Sequence, residues 1–418
     1  MAVLMFLGFA SGLPSQILDA PLKAWLTTAG IGIKEITAIS GLAMLPYGVK
    51  VLWSPLVDRY APPFLGRRRG WLLITQIALI IGISLMAIQQ PEPSQLQTIV
   101  NIVVAIGFLS ASQDIVADAY RTDVLKELEM GAGAAVFVLG FRLSALVAGG
   151  WALIATDPTR TGHLSWQAVY LILAGLMSIG GIATLLAPQP IGDESVPPSL
   201  LAAIVLPFQD FFQRRGVVNG VLTLLLIVIY KIGDYMVKGV STPFLLKIHF
   251  TQTQIGTIQS GMGLVAVIIG SFVGGIILSK IGINRSLWVG IGLLSIGIIP
   301  YWLLAQAAQS TPAGQSPSEA LLILAINSEY FFAGVEATAF IAFLMSLCNR
   351  QFSATQYALF TSLMLSGKSF IVVPIGGIAE QVGWSNFFLL SILAAVPGLV
   401  LLTFLAPWNT KDSDWNAS

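Results

Sequence analysis

The chain has 418 residues, 56% of them hydrophobic and only 10% charged, with a net charge of +1. An ordinary soluble domain carries about 25% charged residues, so the composition is that of an integral membrane protein, and the near-zero charge excludes nucleic-acid binding through a basic surface. One cysteine, Cys348, excludes an internal disulfide framework, and the two histidines, His163 and His249, are far apart in sequence, so no metal site is expected.

A helix that crosses a bilayer needs about 20 mostly apolar residues. Apolar runs between polar punctuation give twelve, at 2–28, 35–57, 70–89, 97–121, 131–156, 165–187, 217–247, 253–280, 286–307, 318–348, 354–380 and 384–406. Span 1 has no basic lead, which makes it a membrane helix and not a signal peptide. It contains Pro14 and Pro21 and the i,i+4 pair Asp19 and Lys23. Span 2 carries Lys50 and ends at Asp58. In span 4, Ser110, Asp114, Asp118 and Arg121 recur at i,i+3 and i,i+4 intervals and so share one helix face. Asp123 follows as a helix-end residue, and span 5 holds Arg142. The longest connection, after span 6, begins Pro-rich and continues as LLAAIVLPFQDFFQRR, which reads as a short interfacial helix. Span 7 contains Gly233 and Gly239, with Lys231, Asp234 and Lys238 on one face. Glu329 and Glu336 lie seven apart on span 10, and Lys368 lies on span 11.

A charge at the bilayer centre costs about 2.5–3.5 kcal/mol on insertion scales, so charged spans must face protein or water. Charges fall on spans 1, 2, 4, 5, 7, 10 and 11, whereas spans 3, 6, 9 and 12 have none. A clean helix in every third position predicts three-helix repeats with one lipid-facing member each. That is the pattern of transporters built from 3+3 inverted repeats. The expected fold is all-α, with twelve transmembrane helices in two six-helix halves. Residues 1–187 form the first half, 188–216 a central cytoplasmic loop, 217–406 the second half and 407–418 a tail. Lysine and arginine set the orientation. One set of alternate loops holds twelve (Arg59, Arg67, Arg68, Arg69, Arg121, Lys126, Arg214, Arg215, Lys280, Arg285, Arg350 and Lys411), and the other holds only Lys34, Arg160 and Lys247. The richer side, with both termini, is therefore expected in the cytoplasm.

The loop PLVDRYAPPFLGRRRGW after span 2, echoed by GGIILSKIGINRSLW after span 8, resembles the loop signature of the major facilitator superfamily. Within it the chain resembles the AmpG muropeptide permeases, in GFASGLP (8–14), KVLWSPLVDRYAPPFLGRRRGWLL (50–73), SASQDIVADAYRTDVL (110–125), GAGAAVFVLGFRLSALVAGG (131–150), YKIGDYM (230–236), FLMSLCNRQFSATQYAL (343–359) and AAVPGL (394–399). The resemblance implies a proton-coupled symporter of the bacterial inner membrane that imports GlcNAc–anhydro-MurNAc, with or without its peptide, for cell-wall recycling. It assigns proton coupling to Asp114 and Asp118 and matches Arg142 to a family position. The chain departs from the pattern where AGVEAT places Glu336 in a small-residue stretch of span 10, and where Lys368 stands for an arginine. The two departures are expected to pair with each other. The looser resemblance to acetyl-CoA transporters leaves another anionic cargo, such as acetyl-CoA or a peptide, as the alternative.

The site expected from these readings has proton-coupling acids at Asp114, Asp118, Glu329 and Glu336. Arg142, Lys231, Lys238 and Lys368 would attract substrate carboxylates, and Gln113, Tyr230 and Tyr235 would hold sugar hydroxyls, with Asp19, Lys23 and Asp234 in the same polar interior. Asp58, Arg59, Arg67, Arg68, Lys280 and Arg285 would form a cytoplasmic charge latch. The competing reading of the interior charges is that they are static salt bridges, and of the loop charges that they only set topology. No cofactor is expected beyond the proton gradient, and the protein is expected to be a monomer. An enzyme is disfavoured, because no Ser, Cys or His stands in a nucleophile or acid–base motif.

Overall fold

The computed structural model describes residues 1–125, 130–189, 200–349 and 353–408. Among them eleven helical stretches are long and apolar enough to cross a membrane. We number them α1 (Ala2–Thr28), α2 (Ile33–Leu52), α3 (Gly66–Ala87), α4 (Leu96–Arg121), α5 (Val136–Ala155), α6 (Trp166–Leu186), α7 (Val217–Lys247), α8 and α9 (together Gln252–Ser310), α10 (Glu319–Ser346), α11 (Gln356–Val382) and α12 (Trp384–Leu405). The stretch of 59 residues that holds α8 and α9 is interrupted at Gly282, with φ 79° and ψ 175°. Residues with a Cβ rarely adopt that conformation, so the glycine divides one long helix into the two spans that the sequence predicts.

Several spans are broken inside the apolar run. In α1 the helix stops at Ile17 and restarts at Ala20, with Asp19 at the N-cap and Pro21 in the first turn. Proline lacks an N–H and fits a helix start, which makes this a local sequence effect. In α7 the break falls between Ile229 and Ile232, with Lys231 at the second N-cap. A π-turn at Leu146–Trp151 interrupts α5, and another at Ile258–Gly263 interrupts α8. Span 2 ends earlier than expected. After Leu52 the chain turns at Trp53 and forms a separate short helix, Ser54–Arg59, so Asp58 lies beyond the span and not at its end. A proline in the first turn starts this helix, as in α1.

The chain forms two compact units. One holds α1 to α6 together with residues 251–260, and the other holds the central helix, α7 up to residue 250, and the chain from 261 onward. In the first unit, α1 packs on α4, α5 and α6, α3 packs on α4 and α6, and α2 packs on α4. In the second, α7 packs on α11 and α12, and α10 packs on the α8–α9 stretch. The amphipathic run after α6 is a helix, Leu200–Arg215. Its Asp210 accepts hydrogen bonds from Asn349 Nδ2 (2.9 Å), Gln356 Nε2 (2.9 Å) and Arg214 Nε (3.0 Å), which tie it to the ends of α10 and α11. The charge-free helices expose large apolar side chains, among them Ile81 on α3, Leu186 on α6, Ile296 on α9 and Phe404 on α12. Exposed apolar surface is not confined to them, since Phe272 on α8 and Val138 on α5 are exposed too. The rule of one lipid-facing helix in three is therefore too strict.

Candidate functional site

In the first unit the α4 stripe is a line of occupied polar contacts. Tyr47 of α2 donates to Ser110 Oγ at 2.5 Å. Asp114 forms an ion pair with Lys50 at the end of α2 and accepts from Ser11 of α1 at 3.2 Å. Asp118 pairs with Arg121 on its own helix at 3.2 Å, and the Arg121 guanidinium lies 4.9 Å over the Phe137 ring. Asp123 leaves the stripe and pairs with Arg68 at 2.7 Å. Lys23 meets Asp19 at 2.5 Å at the start of the second arm of α1. Gln113 is buried and its Oε1 has no hydrogen-bond partner among the described residues, so an acceptor stands ready inside the unit. Arg142 is exposed on α5, and no ion pair or hydrogen bond of its side chain is found among the described residues. Lys50 is the residue that reasoning from sequence left out of the site. Its signal was present, as a lysine inside an apolar run, but helical periodicity does not say which helix it faces.

In the second unit, Lys231 lies 2.7 Å from Glu336, and Lys238 lies 2.9 Å from Asp234 and 3.4 Å from Glu329. The pair expected between Glu336 and Lys368 is therefore replaced by Glu336 with Lys231, because α7 brings its break point to α10. Lys368 lies within electrostatic reach of Asp234. Tyr230 is corrected as well: its hydroxyl donates to the Leu287 carbonyl at 2.6 Å and its ring stacks on Phe340 at 4.8 Å, so it is a packing residue and not a free sugar donor. Tyr235 is buried beside the acids.

The exposure of the pairs separates the two units. In the first, Asp19 is 53% exposed against 6% for Lys23, and Asp118 50% against 26% for Arg121. In the second, Lys238 is 36% exposed against 1% for Asp234, and Lys231 13% against 0% for Glu336. In these pairs the carboxylate is the more exposed partner in the first unit and the ammonium group in the second. Lys50 and Asp114 are about equally exposed and follow neither rule.

Of the expected latch, Arg68 ties the start of α3 to the end of α4 through Asp123, and Arg285 donates to the Trp408 carbonyl at 3.1 Å. Arg67 is buried and Lys280 exposed. The side chains of Asp58 and Arg59 lie outside what is described, as do Lys126, Arg350 and Lys411. Among the described residues, no group of three or more His, Cys, Asp or Glu is placed to hold a metal ion.

These helices, and charged groups buried within them, are the architecture of a solute carrier. The sequence pattern of the Major Facilitator Superfamily matches residues 4–372. The chain belongs to the Major Facilitator Superfamily. It is 43% identical to the anhydromuropeptide permease of Escherichia coli (strain K12) over 402 residues, which cover 96% of this chain and 78% of that protein. A putative AmpG transporter of Rickettsia felis is 33% identical over 96% of this chain and 95% of its own length. Among solved structures, a POT family transporter bound to a thioalcohol-conjugated peptide superposes with a TM-score of 0.71, at 15% identity and over 98% of this chain and 96% of that one. That likeness shows the superfamily fold. This member of the superfamily is a multi-pass membrane transporter and not an enzyme.

Proposed function

We propose that this transporter imports anhydromuropeptides, GlcNAc–anhydro-MurNAc with or without peptide, across the bacterial inner membrane, driven by the proton gradient. The observation that carries the reading is the 43% identity, over nearly the whole chain, to a protein named for that cargo. The site chemistry agrees with it. Such a cargo bears carboxylates and many hydroxyls, and the second unit presents Lys231 and Lys238 while Gln113 keeps a buried oxygen unsatisfied. Asp114 or Asp118 accepts the coupling proton. Protonation of Asp114 would weaken its pairing with Lys50, and protonation of Asp118 its pairing with Arg121. A proton that binds one conformation better than another shifts the balance between them, which is what alternating access requires. The protein works as a monomer with both termini in the cytoplasm, and it needs no cofactor.

The test is uptake by proteoliposomes, with anhydromuropeptide in competition against acetyl-CoA and simple peptides, with and without a proton gradient. Anhydromuropeptide should compete best. Asp114→Asn and Asp118→Asn should insert normally, and at least one should lose gradient-driven uptake. Preference for acetyl-CoA or free peptide would replace the cargo assignment, and unchanged pH-dependent uptake in both variants would remove these acids from the coupling step.

A further inference from the structure

Glu336 differs from every other acid of the interior. It is fully buried, and Lys231 is its single ion-pair partner among the described residues. Asp234 and Glu329, by contrast, share Lys238, so neither depends on a lysine reserved to it. The wall behind Glu336 is tight: a Cβ on Gly290 of α9 would stand 3.3 Å from the Glu336 Cα and 3.1 Å from the Tyr230 hydroxyl. Lys231 is the more exposed partner. It caps the second arm of α7 with a non-helical backbone (φ −103°, ψ 17°), and part of its side chain is exposed. Besides Lys231, the charged or titratable groups that act on Glu336 among the described residues include Asp234, Lys238, Tyr230 and Tyr235, all on α7. Glu329 lies two turns away on the same helix and is bound to Lys238, and Lys368 of α11 acts on Asp234.

We propose that Glu336 is a resident counter-ion that a cargo carboxylate displaces from Lys231, and that Glu336 releases the lysine only by taking up a proton. The proposal rests on the reading of a proton-coupled importer of carboxylate-bearing cargo. A buried carboxylate that loses its lysine is left unpaired in a dry interior, which is strongly unfavourable; the neutral acid escapes that penalty. The ion pair Lys231–Glu336 is exchanged for Lys231–cargo, and one proton joins the Glu336 oxygen. The cargo carboxylate brings one negative charge and the proton one positive, so the unit keeps its net charge. Each event makes the other more favourable by the same factor, as linked binding demands.

The experiment measures the affinity of the reconstituted transporter for peptide-bearing anhydromuropeptide as a function of pH. The Kd of the unaltered protein should include a weakening of about tenfold per pH unit for the proton that Glu336 takes up with each cargo, in addition to the proton held on Asp114 or Asp118. Glu336→Gln mimics the protonated acid. Its Kd should lose that one-proton part of the slope, and cargo should accumulate less for the same proton gradient, while exchange of cargo across the membrane continues. A second arm keeps the protein unaltered and amidates the cargo carboxyl groups; binding should then be lost or should lose the same one-proton part of the slope. A Glu336→Gln protein with the original slope, or an amidated cargo that keeps it, overturns the proposal. If the variant does not fold, the amidated cargo decides alone. If the unaltered protein binds no anhydromuropeptide, the cargo assignment fails by itself, and a dipeptide with its amide carries the same two arms.

Discussion

Asp157 lies just beyond α5 and is fully buried. It accepts hydrogen bonds from the Thr159 backbone N–H (2.9 Å), the Thr159 hydroxyl (2.7 Å) and the Thr253 backbone N–H (2.7 Å). Thr253 is in the first turn of α8, behind a capping box made by Thr251 and Gln254. The carboxylate thus sits at a helix N-terminus, where negative charge is favoured. Asp157→Ala removes all three acceptor contacts and takes the acceptor away from the Thr159 and Thr253 N–H groups. Hydrogen bonds to a charged group are worth about 1.5–3 kcal/mol each and do not add fully, so a loss of about 3 kcal/mol is expected. In a unit of this size that lowers Tm by about 6–12 °C. Asp157→Asn keeps one acceptor oxygen and should cost about 1 kcal/mol. Burial alone would raise the Asp157 carboxyl, but the hydrogen bonds from Thr253 and Thr159 outweigh it and hold the group below its usual range. A depressed folded value means stability that is present above the unfolded value, about 3.9, and is lost as pH falls through the folded one. The gap between the native protein and Asp157→Asn should hold constant at neutral pH and shrink in acid. Thermal unfolding in detergent across pH measures both quantities. A Tm for Asp157→Ala within about a degree of native would refute the reasoning, because water or other groups would then have replaced the carboxylate as acceptor.

Two further outcomes follow from groups outside the membrane. Asp210→Ala should loosen the central helix by freeing Asn349, Gln356 and Arg214 together, a loss of about 2 kcal/mol, read as faster proteolysis within Leu200–Arg215; unchanged cleavage would show that the helix is held by its apolar face. Burial pushes the Cys348 thiol up to about 11, so it should react with a maleimide far more slowly than a free thiol at pH 7.5 and speed up with alkali.

The spans were legible because an apolar run of bilayer length is a strong signal, and even the α8–α9 division could be read from the polar punctuation around Gly282. Pairs within one helix, Asp19 with Lys23, Asp118 with Arg121 and Asp234 with Lys238, follow from the i,i+3 and i,i+4 rule. Pairs between helices do not. Lys50 reaches Asp114 and Lys231 reaches Glu336 because of how the helices rotate about their axes, and no periodicity encodes that. The same gap explains the misplaced Glu336–Lys368 pair, since several cations were available to one acid. Asp157 escaped notice for a different reason: in the loop Thr156-Asp157-Pro158 it reads as a turn residue, and its second partner is 96 residues away.

The broken helices give two of the interior ion pairs a common setting. Both α1 and α7 stop and restart inside the membrane run, and each second arm carries or begins with an acid–lysine pair spaced i,i+4. A break frees backbone groups that need polar neighbours, so charged side chains cost less beside it than in an unbroken apolar helix. The order is the same in both helices, acid first and lysine one turn later, yet the exposure is reversed, with Asp19 outward in α1 and Lys238 outward in α7. Sequence order therefore does not decide which charge of the pair is the more exposed; the packing of each helix does. A static pair would gain nothing from that reversal. Exposed carboxylates suit proton exchange and exposed ammonium groups suit anion capture, so the two units are chemically distinct although their broken helices are built alike.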